Sequence, residues 1–196
     1  MDINELCSVG ATFTENKRYM ICRYGEEDKK LYYQMLDEVY RDSTISYVES
    51  IKDMQWKMML NNGNMGSFKV IQKDTGIYLG DVSIMQLDTR TPEIGIHLLE
   101  VFRNQGIGYE VMELYIEKLK QVLNADYLFL RIKETNYASY KVFSKLGAIQ
   151  ISRDDDGFAK AMKQMMTEFG KEKFEEITGK TYEELCPVVK YYKIEI

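Results

Sequence analysis

The sequence holds one histidine and three cysteines in 196 residues, with no C-x-x-C pair among them. The usual zinc constellations are thereby excluded, only a carboxylate cluster is left open as a metal site, and no metal ligand is assigned. Cys7, Cys22 and Cys186 are odd in number and far apart. That fits reduced thiols filling a core in a cytoplasm better than a disulfide framework. Long apolar runs are missing too: none approaches the roughly 18 residues needed to span a bilayer. The first residues, Met1-Asp2-Ile3-Asn4-Glu5, carry acids where a leader carries bases, so no anchor, signal peptide or membrane partner is expected. Positive charge is short, with 26 Lys and Arg against 31 Asp and Glu and a net charge of −5. An extended nucleic-acid surface is therefore not expected, while a small anion held by local donors remains allowed.

What is present reads as an ordinary soluble globular chain, 45% hydrophobic and 29% charged. Its length suits one full core, so residues 1–196 are expected to form a single domain. After a polar N-terminal segment, residues 18–24 read as a strand near the centre of a sheet. Residues 26–40 and 47–60 carry apolar side chains at helical spacing, Leu31, Met35, Leu36 and Val39, then Val48, Ile51, Met54, Met58 and Met59. Two strands joined at Asp74-Thr75-Gly76 form a hairpin. A strand over 91–99, a glycine loop, a helix from about Gly106 to Leu123, a strand over 126–134 and a short helix over 138–147 follow. Gly147 suits the C-terminal cap of that last helix. Strand, helix, strand, helix calls for a parallel pair here, and 188–196 reads as an antiparallel closing strand. A helical excursion at about 157–186 precedes it. There Phe158, Ala161, Met162, Met165, Met166 and Phe169 make one apolar face, read as plain packing or as a wall over a pocket or a dimer surface.

The loop "VFRNQGIGYEVMELY" (101–115) raises the functional question, because paired glycines let something approach the main chain closely. A nucleoside-triphosphate loop needs a lysine followed by Ser or Thr, which is missing. A dinucleotide fingerprint needs a third glycine and an early position in the sheet, and both are missing. A tight turn packing a helix on a sheet is one remaining reading. The other is a pyrophosphate cradle, with amides at a helix N-terminus facing a diphosphate.

A second motif favours the cradle. Arg103-Asn104-Gln105-Gly106-Ile107-Gly108 resembles the R/Q-x-x-G-x-G/A loop of the GNAT N-acetyltransferases, and "NYASYKVFSKLGA" (136–148) resembles their second motif. The resemblance implies an α/β fold: a mixed, twisted central sheet splayed between its fourth strand, here 92–99, and its fifth, here 126–134, with helices on both faces. It further implies acetyl-CoA as cosubstrate in the gap. Main-chain groups near Leu98 and Leu99 would meet the pantetheine arm, amides from Asn104 to Tyr109 would hold the pyrophosphate, and Arg103 would add charge. Asn136 and Ser139 would contact the cosubstrate beyond the fifth strand. Glu93 stands where some family members carry a general base. His97, on the same strand face as Glu93 and Gly95, is a second candidate suited to titrate near neutrality. The tyrosine that protonates the departing thiolate in many members is replaced by Phe143. Tyr140 and Tyr137 are nearby hydroxyls that can stand in for it, and Ser139 or water can also serve.

The resemblance implies transfer of an acetyl group to a primary amine, on a small molecule or a peptide N-terminus. Two alternatives are a non-catalytic acyl-CoA sensor and a dinucleotide enzyme on a Rossmann core. Helices 26–60 and the excursion are expected to form much of the acceptor pocket. Two acidic clusters, Glu26-Glu27-Asp28 and Asp154-Asp155-Asp156, can attract a cationic amine or simply be solvated. The last strand and the Met stripe are the surfaces expected for a homodimer.

Overall fold

The computed structural model describes residues 1–41, 49–152 and 157–196, with backbone alone at 157–159. Val48, the Phe158 side chain and the Asp154–Asp156 cluster lie outside the described residues. A short helix α1 (Ile3–Leu6) leads into β1 (Thr12–Glu15) and β2 (Tyr19–Arg23). A 3-10 turn at Glu26–Asp28 opens α2 (Lys29–Val39), and α3 (Glu49–Asn61) follows. Then come β3 (Met65–Gln72), β4 (Tyr78–Met85), β5 (Glu93–Leu98), α4 (Ile107–Val122), β6 (Tyr127–Lys133), α5 (Tyr137–Lys145) and β7 (Ile149–Ile151). Helices α6 (Gly157–Phe169), α7 (Lys171–Thr178) and α8 (Tyr182–Leu185) precede β8 (Val189–Glu195).

One sheet runs in the order β1-β2-β3-β4-β5-β6-β8-β7, all neighbours antiparallel except β5 and β6. The parallel pair falls where the strand–helix–strand order requires it. Two expectations need correction. The strand at 18–24 is one place in from the edge, because the polar segment before it pairs as β1. The last strand is antiparallel as expected, but it lies between β6 and β7, and the three residues of β7 close that edge.

The two faces bury different clusters. Helix α4 packs Val111, Met112, Tyr115, Ile116 and Leu119 onto Val82, Ile84, Ile94, Leu128 and Leu130. On the other face, α2 and α3 bring Tyr32, Met35, Leu36, Trp56 and Met59 against Tyr24, Tyr78 and Leu99. Burying each such side chain contributes roughly 1.5–3 kcal/mol. Because helices cover both sides, β4 is buried along most of its length.

Gly80 marks a tight point between β4 and β5. Its φ is +141°, and a Cβ there would lie 2.1 Å from the His97 carbonyl oxygen. The register beside it slips between Val70 and Ile71, a bulge at Leu79.

Candidate active site

The site begins with a sheet that comes apart. β4 and β5 pair from Gly80↔Leu98 to Met85↔Glu93, whereas β5 and β6 share one pair, Glu93↔Phe129. The Phe129 N–H donates to the Pro92 carbonyl at 2.8 Å at that junction. The Leu99 N–H donates back to Leu79 on β4. By backbone alternation the main-chain groups of Ile96 and Leu98 therefore face the opening.

The glycine loop stands at the wide end of this gap. Gly106 caps α4 with φ +82°, and Asn104 also takes a left-handed φ of +60°. A Cβ at Gly106 would meet nothing, so glycine serves the backbone turn there. A Cβ at Gly108 would sit 3.6 Å from Leu98 and from Val142. That position joins loop, β5 and α5 at one point. Among the described residues, no acceptor takes the N–H of Asn104, Gln105, Gly106, Ile107 or Gly108, while the Tyr109 N–H donates to the Gly106 carbonyl at 3.1 Å. Five unclaimed amides at the start of a 16-residue helix suit a diphosphate in geometry and in dipole sign.

The neighbouring side chains are already engaged. Gln105 Nε2 donates to the Val101 carbonyl at 2.7 Å, and Arg103 Nε donates to the Leu98 carbonyl at 2.8 Å. Arg103 Nη2 lies 3.3 Å from Glu38 Oε2, which also accepts the Glu100 N–H at 2.9 Å. Glu38, on α2, thus holds the segment between β5 and α4. Across the gap, Asn136 caps α5 by accepting the Ser139 N–H at 3.1 Å. Its amide nitrogen remains available. Lys145, one turn beyond Val142, sets its ammonium 5.9 Å from the centre of the Tyr109 ring and adds positive charge beside the loop.

On the α2–α3 face, a cleft of about 440 Å³ lies between those helices and β3, β4 and β5. Its floor is polar: Ser67, Asp81, Ser83 and His97, with Gly95 between. Pairing across the strands puts Asp81 opposite His97 and Ser83 opposite both Ser67 and Gly95, so these side chains share one face. Asp81 is 5% exposed, and among the described residues no cation pairs with it. Burial raises its carboxyl from 3.8 to about 7. The buried His97 Nε2 has no hydrogen-bond partner among the described residues, and Glu38 Oε2 stands 3.8 Å away. Burial and then the Arg103 charge push the imidazole below its ordinary 6.5, so it is neutral at pH 7.

The sequence-derived candidates separate on this frame. Loop, Leu98, Asn136 and Ser139 gather around the gap, and His97 lines the cleft. Glu93 shares His97's strand face but stands outside the cleft lining, and its Oε1 accepts from Arg131 Nε at 2.8 Å. Leu99 has both main-chain groups engaged, with Leu79 and Phe102. Phe143 is buried in the core under α5. Tyr140 lies two positions from Val142, on the opposite side of α5, with its ring 6.1 Å from Tyr192. Tyr140 is therefore not brought together with Glu93 or His97. The excursion contributes no lining residue among those described; the methionines of the cleft come from α2, α3, β3 and β4 instead. Asp28, of the first acidic cluster, is buried and paired with Lys69.

Asp81, Glu38 and Lys145 escaped the sequence reading. Only Asp81 left a signal, as a lone acid inside the apolar strand "YLGDVSIM". Among the described residues no cluster of His, Cys, Asp and Glu suits a metal, and no helix is long and apolar enough to cross a membrane.

Comparisons with known proteins agree with this architecture. A search of curated proteins by sequence finds no match. Among solved structures, spermidine N-acetyltransferase from Vibrio cholerae in complex with CoA and spermine superposes with a TM-score of 0.65 at 11% identity, over 92% of this chain and 96% of that one. A domain from Methanocaldococcus jannaschii gives 0.62 at 17% identity, over 92% and 100%. The N-acetyltransferase PseH of Campylobacter jejuni gives 0.57 at 12% identity, over 90% and 97%. At such identities the likeness establishes the fold. The model of the acetyltransferase (GNAT) domain matches residues 18–149, more than half of the chain, and the protein therefore belongs to the GNAT acetyltransferase family.

Proposed function

We propose that the protein is an acetyl-CoA-dependent N-acetyltransferase that acetylates a primary amine bound in the α2–α3 cleft. The observation that carries this reading is the meeting of two half-sites at β5: free loop amides and a strand gap on one side, a cleft with a buried proton acceptor on the other. Acetyl-CoA supplies an acetyl thioester when bound. The amides of Asn104–Gly108 hold its diphosphate, the main chain of Ile96 and Leu98 lines its arm, and Asn136 steadies it from α5.

An alkylammonium must lose two protons on the way to an amide, one before its nitrogen bonds to the thioester carbon and one as the C–S bond breaks. Asp81, with a pKa of about 7, takes the first. The neutral His97, directly opposite, takes the second. Sulfur leaves as a thiolate. A thiol ionises near 8.5, so this leaving group needs a hydrogen bond more than a strong acid. Ser139 supports that role, since it lies one turn before Val142 on the gap side of α5, whereas Phe143 has no proton to give.

The test is to incubate the protein with acetyl-CoA and a panel of amines while measuring free CoA thiol and N-acetylated product together. One thiol per acetylamine, formed about 10² or more times slower by Asp81→Asn, is the expected result. Tight CoA binding with no transfer to any amine would overturn the reading in favour of a non-catalytic acyl-CoA sensor.

A further inference from the structure

Building on that reading, we infer that the acceptor is a monoamine with an apolar, preferably aromatic, body, rather than a polyamine or a peptide N-terminus. The chemistry of the cleft carries this. Its walls are thioethers and rings, with Met35, Met59, Met65 and Met85 around Tyr32 and Tyr40. Thioether side chains adapt to irregular apolar shapes and favour contact with aromatic rings. Among the described residues, that lining holds a single carboxylate, Asp81, at the sheet floor.

One buried carboxylate matches one ammonium. A polyamine would bring a second cation into the same apolar walls, where an unpaired charge is strongly disfavoured. The neighbouring described acids are already taken. Glu38 is held by Arg103 and the Glu100 N–H, Asp28 by Lys69, Asp53 by Lys29 and Asp37 by Lys52. A peptide N-terminus would bring amide groups, and apart from Asp81 and His97, which the amine takes, the described lining presents few polar partners for them: Ser67, Ser83, Gln55 and the hydroxyls of Tyr32 and Tyr40. A volume of about 440 Å³ suits a compact ring with a short aminoalkyl arm. The amine then lies on Asp81 and His97, the latter on β5, whose other edge borders the gap.

Initial acetylation rates for 2-phenylethylamine, tryptamine, spermidine and a short serine-led peptide would test this, with acetyl-CoA binding measured on the same samples by thermal shift. The arylalkylamines should exceed spermidine and the peptide in kcat/KM by about tenfold or more, the discrimination expected from about 1.4 kcal/mol of differential binding. Met58 lies at the rim and is 55% exposed, so Met58→Glu adds a second carboxylate with little risk to folding. That variant should narrow the ratio toward spermidine several-fold. Preference for spermidine or the peptide, or no turnover of any arylalkylamine despite acetyl-CoA binding, would overturn the substrate class. Absence of acetyl-CoA binding would overturn the acetyltransferase reading itself.

Discussion

Replacing Asp81 by asparagine should make the protein more stable at pH 8 and nearly inactive. The carboxyl is pushed from 3.8 to about 7 by burial, so the folded state holds its proton more tightly than the unfolded chain. A raised folded pKa gives stability that is fully present below the unfolded value and is lost as pH rises toward the folded one. Between pH 3.8 and 7 the wild type therefore loses stability, roughly 4 kcal/mol in all, at about 1.4 kcal/mol per unit. Asparagine carries no such charge. Its amide has its own desolvation cost, of about 1–3 kcal/mol, but that cost is the same at every pH. Comparing the two proteins at pH 5 and pH 8 cancels it. Linkage gives a change of roughly 2.5 kcal/mol in the stability difference between those pH values. For a chain of this size that is a relative Tm change of roughly 5–10 °C in favour of the Asp81→Asn variant at pH 8, read by thermal denaturation. The same variant should lose about 10² or more in kcat/KM, together with the acid limb near pH 7. A Tm difference that does not move with pH would refute the reasoning, because Asp81 would then not be a buried, unpaired carboxylate.

Other substitutions test the rest of the frame. Glu93→Gln and Tyr140→Phe should each change kcat/KM less than about threefold, because one is held by Arg131 outside the cleft and the other faces Tyr192; steady-state kinetics decide this. Gly80→Ala should destabilise by more than about 3 kcal/mol in urea titration, since its Cβ would meet the His97 carbonyl at 2.1 Å. Gly106→Ala should cost about 1–2 kcal/mol from backbone strain alone, its Cβ meeting nothing. Calorimetry should also show weaker acetyl-CoA binding by that variant.

Features set by local chemistry were legible in the sequence. The hairpin at Asp74-Thr75-Gly76, the Gly147 turn after α5 and the glycine loop follow from turn geometry, and the structure repeats them. The gap between β5 and β6 was legible through family resemblance, not through periodicity. Features set by distant pairing were not. β1 is four residues, Thr12–Glu15, with little apolar content, and becomes a strand only through its ladder with β2. β8 could be read as a strand, but its place between β6 and β7 depends on partners some sixty and forty residues earlier in the chain. The same distinction applies to the proposed base. Glu93 looked suitable from its strand position, yet its role depends on Arg131, and Asp81 gained its character from two helices laid over β4.

The most direct test of the account is thermal unfolding with saturating acetyl-CoA, beside CoA, NAD and ATP at equal concentration. At about 100 times the dissociation constant, acetyl-CoA should stabilise by roughly 2.7 kcal/mol, a rise of roughly 5–11 °C, matched by CoA and absent with NAD. No rise with either CoA compound, or a larger one with NAD, would contradict the assignment of the loop at Asn104–Gly108 as a pyrophosphate cradle.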